Sequence, residues 1–596
     1  MGRILLVSRL VLKDLRRRPG QAGMFLLAIT AAATALAMGV TLLGATGTLY
    51  QKTRQATAGP DVVAVSGSPD GLAQVARSTR VLSHDSPHPV LRTKLTAGGS
   101  TVDMTVEGRG TDPGPLDRPR VTSGSWLHPG TVVVERGLAT ALGIRAGDRV
   151  TLAGRTYPVA GVAVTAASPV YPWTSRLSDL GGGPSDAMGL AWLTEKDTRA
   201  LATPEAPLTY ALNLRLKDPA ATKAFSDSFR RPGDSFGGSG LQAMFSGWQF
   251  IASQDDVLLS NAQPILVIGG WLLGILAMAG LAGLAATRAA QQTRRVGLLK
   301  AVGATPGVVA TVLLVPYLAL ALLAGALGLT AAALLVPTVA NPSASLLGGP
   351  TPPTTGTVTS VAVLALGVTA LTVLAPTLRA ARTATVPALA DTPRPPQLRT
   401  GLTALPVRIP TSLLLGLRLT ARRPGHAVLH AAGIAVTTIM ITALLSFSVQ
   451  PRRGYDLGGT TLRNLRDDQD WHLYLAVACA FAVLATVNII VITWTTASEA
   501  RYSLAIARTL GATPGQVTTG LSLAQLLPAL PGAFAGIPLG LGLLWLFTPG
   551  EMTVPSASWL CAGALGAVLA VAVLTAVPAR TAARLPVARI LNSEGA

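Results

Sequence analysis

The sequence predicts a polytopic α-helical membrane protein: eight transmembrane helices as two four-helix repeats, with one mixed α/β extracytoplasmic domain. Three observations predict it. With 49% hydrophobic and only 13% charged residues over a length of 596, the chain has too few charges to cover a soluble surface of its size. Eight apolar stretches reach the length of about 20 residues that a helix needs to cross a hydrocarbon core. One pentapeptide also occurs twice, as Gly303-Ala304-Thr305-Pro306-Gly307 and Gly511-Ala512-Thr513-Pro514-Gly515, each time behind a basic helix and ahead of a long apolar run.

The apolar stretches cover residues 22–46, 262–287, 308–338, 357–378, 427–449, 473–497, 517–547 and 556–577. From Ala301 to Leu378 there is no Lys, Arg, Asp or Glu, a run that no soluble helical repeat sustains. The first stretch follows Arg16-Arg17-Arg18 and mimics a secretory signal, but it outruns the roughly 7–15 residues of a signal core, so an uncleaved first span is expected. Cys479 and Cys561 fall inside spans and read as small buried apolar residues, not as a disulfide framework.

Charge orients the spans. With both termini cytoplasmic, the inside segments hold 23 of the 48 Lys and Arg, opposed only by Asp14, Asp391, Glu499 and Glu594. Nearly all of the net charge of +20 then lies on one side, as the positive-inside rule expects. The excess reads as topology and lipid-headgroup contact, not as nucleic-acid binding. The expected location is a bacterial cytoplasmic membrane, the bacterial part resting on the preponderance of Arg over Lys.

The order of segments follows. Residues 1–21 form a cytoplasmic amphipathic helix, with Ile4, Leu5, Val7, Val11, Leu12 and Leu15 on one arc and Arg3, Arg9, Lys13, Asp14, Arg16 and Arg17 opposite. Residues 22–48 are the first transmembrane helix, 49–261 the extracytoplasmic domain, and 262–386 spans two to four. A Pro-rich cytoplasmic linker, 387–410, leads to spans five to eight in 411–596. Arg17-Arg18-Pro19-Gly20 ahead of span one matches Arg422-Arg423-Pro424-Gly425 ahead of span five. Four spans per repeat, an even number, give both repeats one orientation about an axis along the membrane normal. The second repeat has only the short connection 450–471 where the first carries its domain.

Within that domain, 131–135 reads as a short strand and 137–142 as a helical turn or two. Residues 148–152 form a strand that turns through Ala153-Gly154-Arg155 into 156–159 as a hairpin, and 210–216 is a further strand. His84, His88 and His128 lack ligand spacing and read as isolated surface histidines.

The two corners have a common design. Residues 294–302 form a short helix with Val296, Leu299 and Val302 on one side and Arg295 and Lys300 on others, suited to lie along the membrane surface. Gly303 permits the left-handed conformation that ends a helix, Thr305 caps the next one, and Pro306 fits its first turn. In the second copy Arg501 and Arg508 flank Leu504 and Ile506, Gly511 ends the helix, Thr513 caps, and Pro514 opens span seven. Two nearly identical corners at equivalent places read as matched docking surfaces.

This arrangement resembles the FtsX/MacB-type (type VII) permease family of ABC transporters, as a tandem-duplicated single-chain member. The run Arg294-Arg-Val-Gly-Leu-Leu-Lys-Ala-Val-Gly-Ala304 is similar to that family's cytoplasmic signature, and 501–512 is a weaker second copy. Residues 132–162 resemble part of the MacB-like external core domain. Two departures stand out: Arg295 and Ser503 occupy the place of the usual acidic residue, and the second repeat has no sizeable external domain.

The resemblance implies a permease subunit that is not itself an enzyme, with a separate ABC ATPase dimer binding ATP and Mg. The chain contains no Gly-Lys dipeptide and so no Walker A loop. The implied ATPase-coupling helices comprise Arg294, Arg295, Leu299, Lys300, Gly303, Thr305 and Pro306 in one copy, and Arg501, Ile506, Arg508, Gly511, Thr513 and Pro514 in the other. The implied partners are that ATPase dimer, membrane lipid, and an extracytoplasmic substrate or effector protein. The implied function is movement of the extracytoplasmic domain, for export or extraction of a peptide, drug or lipid-linked substrate or for mechanotransmission. The alternatives are an ion-coupled secondary transporter and an activator of a cell-wall hydrolase without transport. Ion coupling calls for charged groups inside the membrane, and the spans as drawn contain no Asp, Glu, Lys or Arg. His430 and His472 read as interfacial and Asn488 as an interhelical hydrogen bond worth ~1 kcal/mol. The pairs Asp255-Asp256 and Asp467-Asp468 read as solvated charge.

Overall fold

The structure, a computed structural model, describes residues 19–112, 114–174, 187–229, 243–259, 262–291, 305–341, 343–349, 352–374, 410–422, 424–450, 455–457, 460–462, 465–499, 501–547 and 553–583. Among them are eight helices long and apolar enough to cross a membrane. In chain order the helices that carry them are Pro19–Ala56, Ala262–Gln291, Pro306–Val339, Thr355–Thr369 continued by the π-helical turn Ala370–Leu374, Pro424–Val449, Leu465–Glu499, Pro514–Phe547 and Ala557–Ala583. The amphipathic helix expected over 1–18, the linker through 409 and the first corner helix lie outside the described residues.

Two of these helices outrun their apolar stretch. The first continues to Ala56 as a stalk. The sixth starts at Leu465, so Asp467 and Asp468 sit half-buried in its first turn, where the helix dipole favours carboxylates, and not as the solvated charge expected of them. Prolines inside the third, seventh and eighth spans are accommodated as lipid-embedded bundles allow.

Close packing of small residues joins the spans, because lipid supplies no hydrophobic force between helices. Along the seventh span Gly532, Gly536 and Gly540 form a stripe against the fifth. A Cβ added at Gly532 would lie 2.3 Å from the Ala431 carbonyl oxygen, and one at Gly536 would lie 2.6 Å from Thr438 Cβ. The two repeats share one core, in which Leu273, Leu276 and Leu281 of the second span pack with Val436, Met440, Val477 and Phe481 of the fifth and sixth.

Two expectations about spans are corrected. Cys479 and Cys561 are free but exposed, because each lies on a helix face turned out of the bundle, where lipid replaces protein. His430 is buried at 3% exposure, since its helix face meets the second, sixth and seventh spans and not the membrane surface.

The domain inserted between the first two spans is built on a mixed sheet of β1 (Val62–Ser66), β2 (Val81–His84), β3 (His88–Ala97), β4 (Ser100–Arg109), β5 (Arg120–Gly124), β6 (Val132–Glu135), β7 (Arg149–Leu152), β8 (Arg155–Val164), β9 (Gly189–Thr194), β10 (Thr209–Leu216) and β11 (Ala243–Gly247). The strand order is β11-β1-β10-β3-β4-β9-β6-β8-β5, with β2 on β10 and β7 bridging β3 and β8. The pairs β4–β9 and β6–β8 are parallel and the others antiparallel. Each strand read from the sequence is present. The β7–β8 hairpin pairs Leu152 with Arg155 across Ala153 (φ 47°) and Gly154 (φ 79°), the positive angles that a two-residue hairpin turn requires.

His84 and His128 are exposed as expected, but His88 is not: it is 4% exposed, its Nδ1 3.6 Å from Asp85 and its Nε2 4.0 Å from Glu107. At the start of β3 its side chain points into the sheet's packed side, and neighbouring carboxylates make that burial tolerable. Among the described residues no group of three or more His, Cys, Asp or Glu could hold a metal ion.

Candidate functional site

The corner between the sixth and seventh spans shows how its residues act. The helix Arg501–Thr509 lies across the end of the bundle with Leu504 and Ala505 buried. Leu504 packs with Val517 and Leu521 of the seventh span, Ala579 of the eighth, and Leu415 and Leu419 of the amphipathic helix Thr411–Arg422. The opposite side leaves Ile506 at 40% and Leu510 at 84% exposure, with Arg508 between them.

The end of this helix is closed twice over. The Ala512 N–H donates to the Ala507 carbonyl at 3.0 Å and the Gly511 N–H to the Arg508 carbonyl at 3.1 Å, with Gly511 at φ 101°. That is the two-bond termination for which a left-handed glycine is suited. The next helix opens with a reciprocal cap: Gln516 N–H donates to Thr513 Oγ1 at 3.2 Å, and Thr513 N–H donates to Gln516 Oε1 at 3.0 Å. Pro514 takes the first helical position.

In the first copy, Arg294, Arg295, Leu299, Lys300 and Gly303 lie outside the described residues. Thr305 stands before Pro306 in the extended cap conformation but makes no side-chain cap hydrogen bond. Val308 occupies the place of Gln516 there and offers no carbonyl group for the reciprocal bond, so this end of the corner is less tightly fixed than its twin.

At the other end of the bundle three segments grip the inserted domain. The stalk of the first span carries Tyr50, whose hydroxyl donates to Ala166 O at 3.1 Å and whose ring stacks on Trp248 at 6.5 Å, in the helix Trp248–Leu259 that precedes span two. One turn on, Arg54 lies 4.7 Å over the Trp248 ring and pairs with Asp61, which is 2% exposed and also accepts the Leu216 N–H at 2.7 Å. The loop after the third span makes the second grip. Its Ala344 and Leu346 carbonyls accept from Arg136, Ser345 Oγ accepts the Tyr171 N–H at 3.2 Å, and the Leu347 N–H donates to Thr53 of the stalk at 2.9 Å.

The third grip comes from the second repeat. Its short connection folds as β12 (Tyr455–Asp456) and β13 (Thr461–Leu462), and Leu457 and Leu462 enter the core of the inserted domain beside Leu95, Val102 and Leu152. The Leu457 carbonyl accepts the Asp103 N–H at 3.0 Å. Little in the sequence hints at this contact, because Leu457 and Leu462 stand among polar and glycine residues with no periodicity that marks a buried strand.

A buried polar cluster fixes the domain to the stalk. Asp117 accepts from Arg109 and Thr165, while its own N–H donates to Ala58 O at 3.0 Å. Arg109 also faces Glu107 at 3.1 Å and Asp85 at 3.6 Å. Burial alone would lower the Arg109 pKa, but Asp117, Glu107 and Asp85 outweigh it and hold the guanidinium charged. Burial pushes the Asp85 carboxyl up to about 6, against the pull of Arg109 and the two hydrogen bonds from Asn213. Asp85, Glu107, Asp117, Arg109 and His88 thus join β3 and β4 to the chain that leaves the stalk.

Residues 239–385 and 475–587 match the model of the FtsX-like permease C-terminal domain. These two segments are similar to the FtsX-like permease family. The two matched segments hold spans two to four and six to eight, each with one of the corners, so the duplication read from the pentapeptide is a duplication of this domain. Among solved structures, the extracellular domain of the noncanonic ABC-type transporter YknZ from Gram-positive bacteria is similar at 8% identity, covering 28% of this chain and 88% of that one, with a TM-score of 0.19. No curated protein matches this chain.

Proposed function

We propose that this permease is driven by a separate ABC ATPase dimer seated on its two corners, and that it passes the resulting motion to the inserted domain. The observation that carries the proposal is the corner helix Arg501–Thr509. One face is anchored in the bundle through Leu504, and the other presents Ile506, Arg508 and the 84%-exposed Leu510 at the end of a doubly closed turn. An exposed leucine beside a cation on a rigid support suits a partner with an apolar pocket rimmed by acid.

In this reading both termini and both corners face the cytoplasm and the inserted domain faces outward. Closure of the ATPase dimer around ATP and Mg draws the corners together, and the spans act as levers. The inserted domain is gripped by the stalk, the 340–349 loop and the Tyr455–Leu462 hairpin, so movement of either repeat reaches it. The output is mechanical work on an extracytoplasmic peptide, drug, lipid-linked substrate or effector protein.

Purified permease should bind an ABC ATPase whose turnover falls in Ile506→Glu and Leu510→Glu. Turnover indifferent to both changes overturns the reading, as does solute movement by the permease alone in liposomes under a proton or sodium gradient.

A further inference from the structure

Inside the membrane, where the second span meets the fifth and sixth, a cavity of about 10 Å³ is lined by Leu276, His430, Gly433, Thr437, Asn488 and Ile492, among others. That volume suits one water molecule. Asn488, 6% exposed, donates from Nδ2 to the Leu276 carbonyl at 3.4 Å, and its Oδ1 finds no partner among the described residues. The second span makes room for this carboxamide with Gly280, where an added Cβ would lie 1.9 Å from Oδ1. His430 hydrogen-bonds the Gln525 backbone carbonyl of the seventh span, and its Nε2 is likewise without a partner.

The hydrogen-bonding types decide what fits. A neutral imidazole that donates from Nδ1 presents Nε2 as an acceptor, and Asn488 Oδ1 is an acceptor too. Two acceptors cannot satisfy each other, and leaving both unmade in a low-dielectric interior is costly. What the pair needs is a small neutral double donor. Thr437 spends its hydroxyl hydrogen on the Gly433 carbonyl at 2.9 Å, and the remaining lining residues Leu429, Ile434, Ala485 and Ile489 are apolar, so no lining side chain supplies a carboxylate to hold an imidazolium or a cation.

We propose that this cavity is a binding site for a single water molecule, which donates one hydrogen to His430 Nε2 and the other to Asn488 Oδ1. The water completes a chain from the Leu276 carbonyl through Asn488 and His430 to the Gln525 carbonyl. It thereby ties the second span of one repeat to the fifth, sixth and seventh of the other. A water bridge lengthens and re-forms as helices shift, so the junction between the repeats stays satisfied while it moves. That last role rests on the ATPase-driven motion proposed above; the site itself does not.

The test is solid-state NMR on ¹⁵N-histidine-labelled full-length permease in lipid nanodiscs, without ATPase, with the His430 signals assigned by their loss in His430→Gln. The expected result is a ring protonated on Nδ1, with Nε2 accepting a hydrogen bond and showing a cross-peak to a water proton. An Nε2–H tautomer or an imidazolium overturns the proposal, because either would donate to Asn488 directly. Absence of the water cross-peak overturns it equally. Asn488→Leu, or Gly280→Ala should that variant fail to fold, should abolish the cross-peak; its persistence in either variant overturns the assignment. Because no ATPase is present, these results stand or fall separately from the ATPase-driven reading.

Discussion

Replacing Arg54 by Met tests whether the stalk is rigidly joined to the inserted domain. Asp61 is 2% exposed and Arg54 16%, so the pair is largely withdrawn from solvent. Removing the guanidinium leaves a buried carboxylate with the Leu216 N–H as its remaining described donor, and breaking one side of a buried pair costs about 3–5 kcal/mol. Partial exposure of Arg54 places the expected loss near the lower end, about 3 kcal/mol. Loss of the guanidinium over Trp248 adds about 0.5–1 kcal/mol, part of which Met keeps through its own packing. At about 2–4 °C per kcal/mol for a domain of this size, the transition should fall by roughly 6–12 °C. Tryptophan fluorescence of the permease in nanodiscs follows it, since Trp248 stacks on Tyr50 in the same joint. Adding Asp61→Asn to the Met variant should restore at least half of the loss, because the dominant cost is an unpaired charge. A single-variant loss below about 1 kcal/mol, the value of an exposed ion pair, would refute the reasoning, as would a double variant no more stable than the single.

Other consequences follow from the same geometry. Gly511→Val should cost about 1–3 kcal/mol by backbone strain alone, because φ is 101° and nothing lies within 4 Å of the new Cβ, and it should reduce ATPase stimulation more than ATPase binding. Thr513→Ala and Gln516→Ala should each cost about 1 kcal/mol, and the double variant less than their sum, as thermal scans of a reciprocal cap would show. Leu457→Asp places a charge at a fully buried position and should release the hairpin, raising hydrogen exchange at the Asp103 amide at least tenfold (about 1.4 kcal/mol of lost protection) while leaving exchange in β8 unchanged. For Asp85, the folded pKa of about 6 lies above the ordinary 3.8, so within that window the folded chain holds a proton that the unfolded chain has released. Stability of the inserted domain should therefore fall as pH rises from about 4 to 6, and Asp85→Asn should flatten that slope in pH-dependent thermal scans.

Much of this protein is local, and what is local was legible. Span number and length follow from runs without charge, the corners from glycine, threonine and proline in a fixed order, and the β7–β8 hairpin from a turn between alternating strands. Arg501, Arg508 and Ile506 are legible in the sequence as corner residues, but the exposure of Leu510, the most exposed apolar residue there, is not, because it depends on which face Leu504 buries. The burial of His88 and His430 is not legible for the same kind of reason: a histidine's place is set by what packs against it, here Glu107 on the neighbouring strand and Gln525 of the seventh span, each on a separate element.

By itself the sequence determined that the chain has eight stretches long and apolar enough to cross a membrane, that its two halves repeat one pattern, and that each half carries the glycine, threonine and proline of a helix corner between its second and third spans. Those properties are sums over neighbouring residues, written in composition, periodicity and helix-end chemistry. Only the tertiary structure decided that the inserted domain is held by both repeats, that Arg54 and Asp61 lock it to the stalk, and that His430 and Asn488 face one small cavity at the junction. Each of those brings together groups from separate elements, and no local pattern encodes which faces will meet once a bundle in lipid has packed its small residues together.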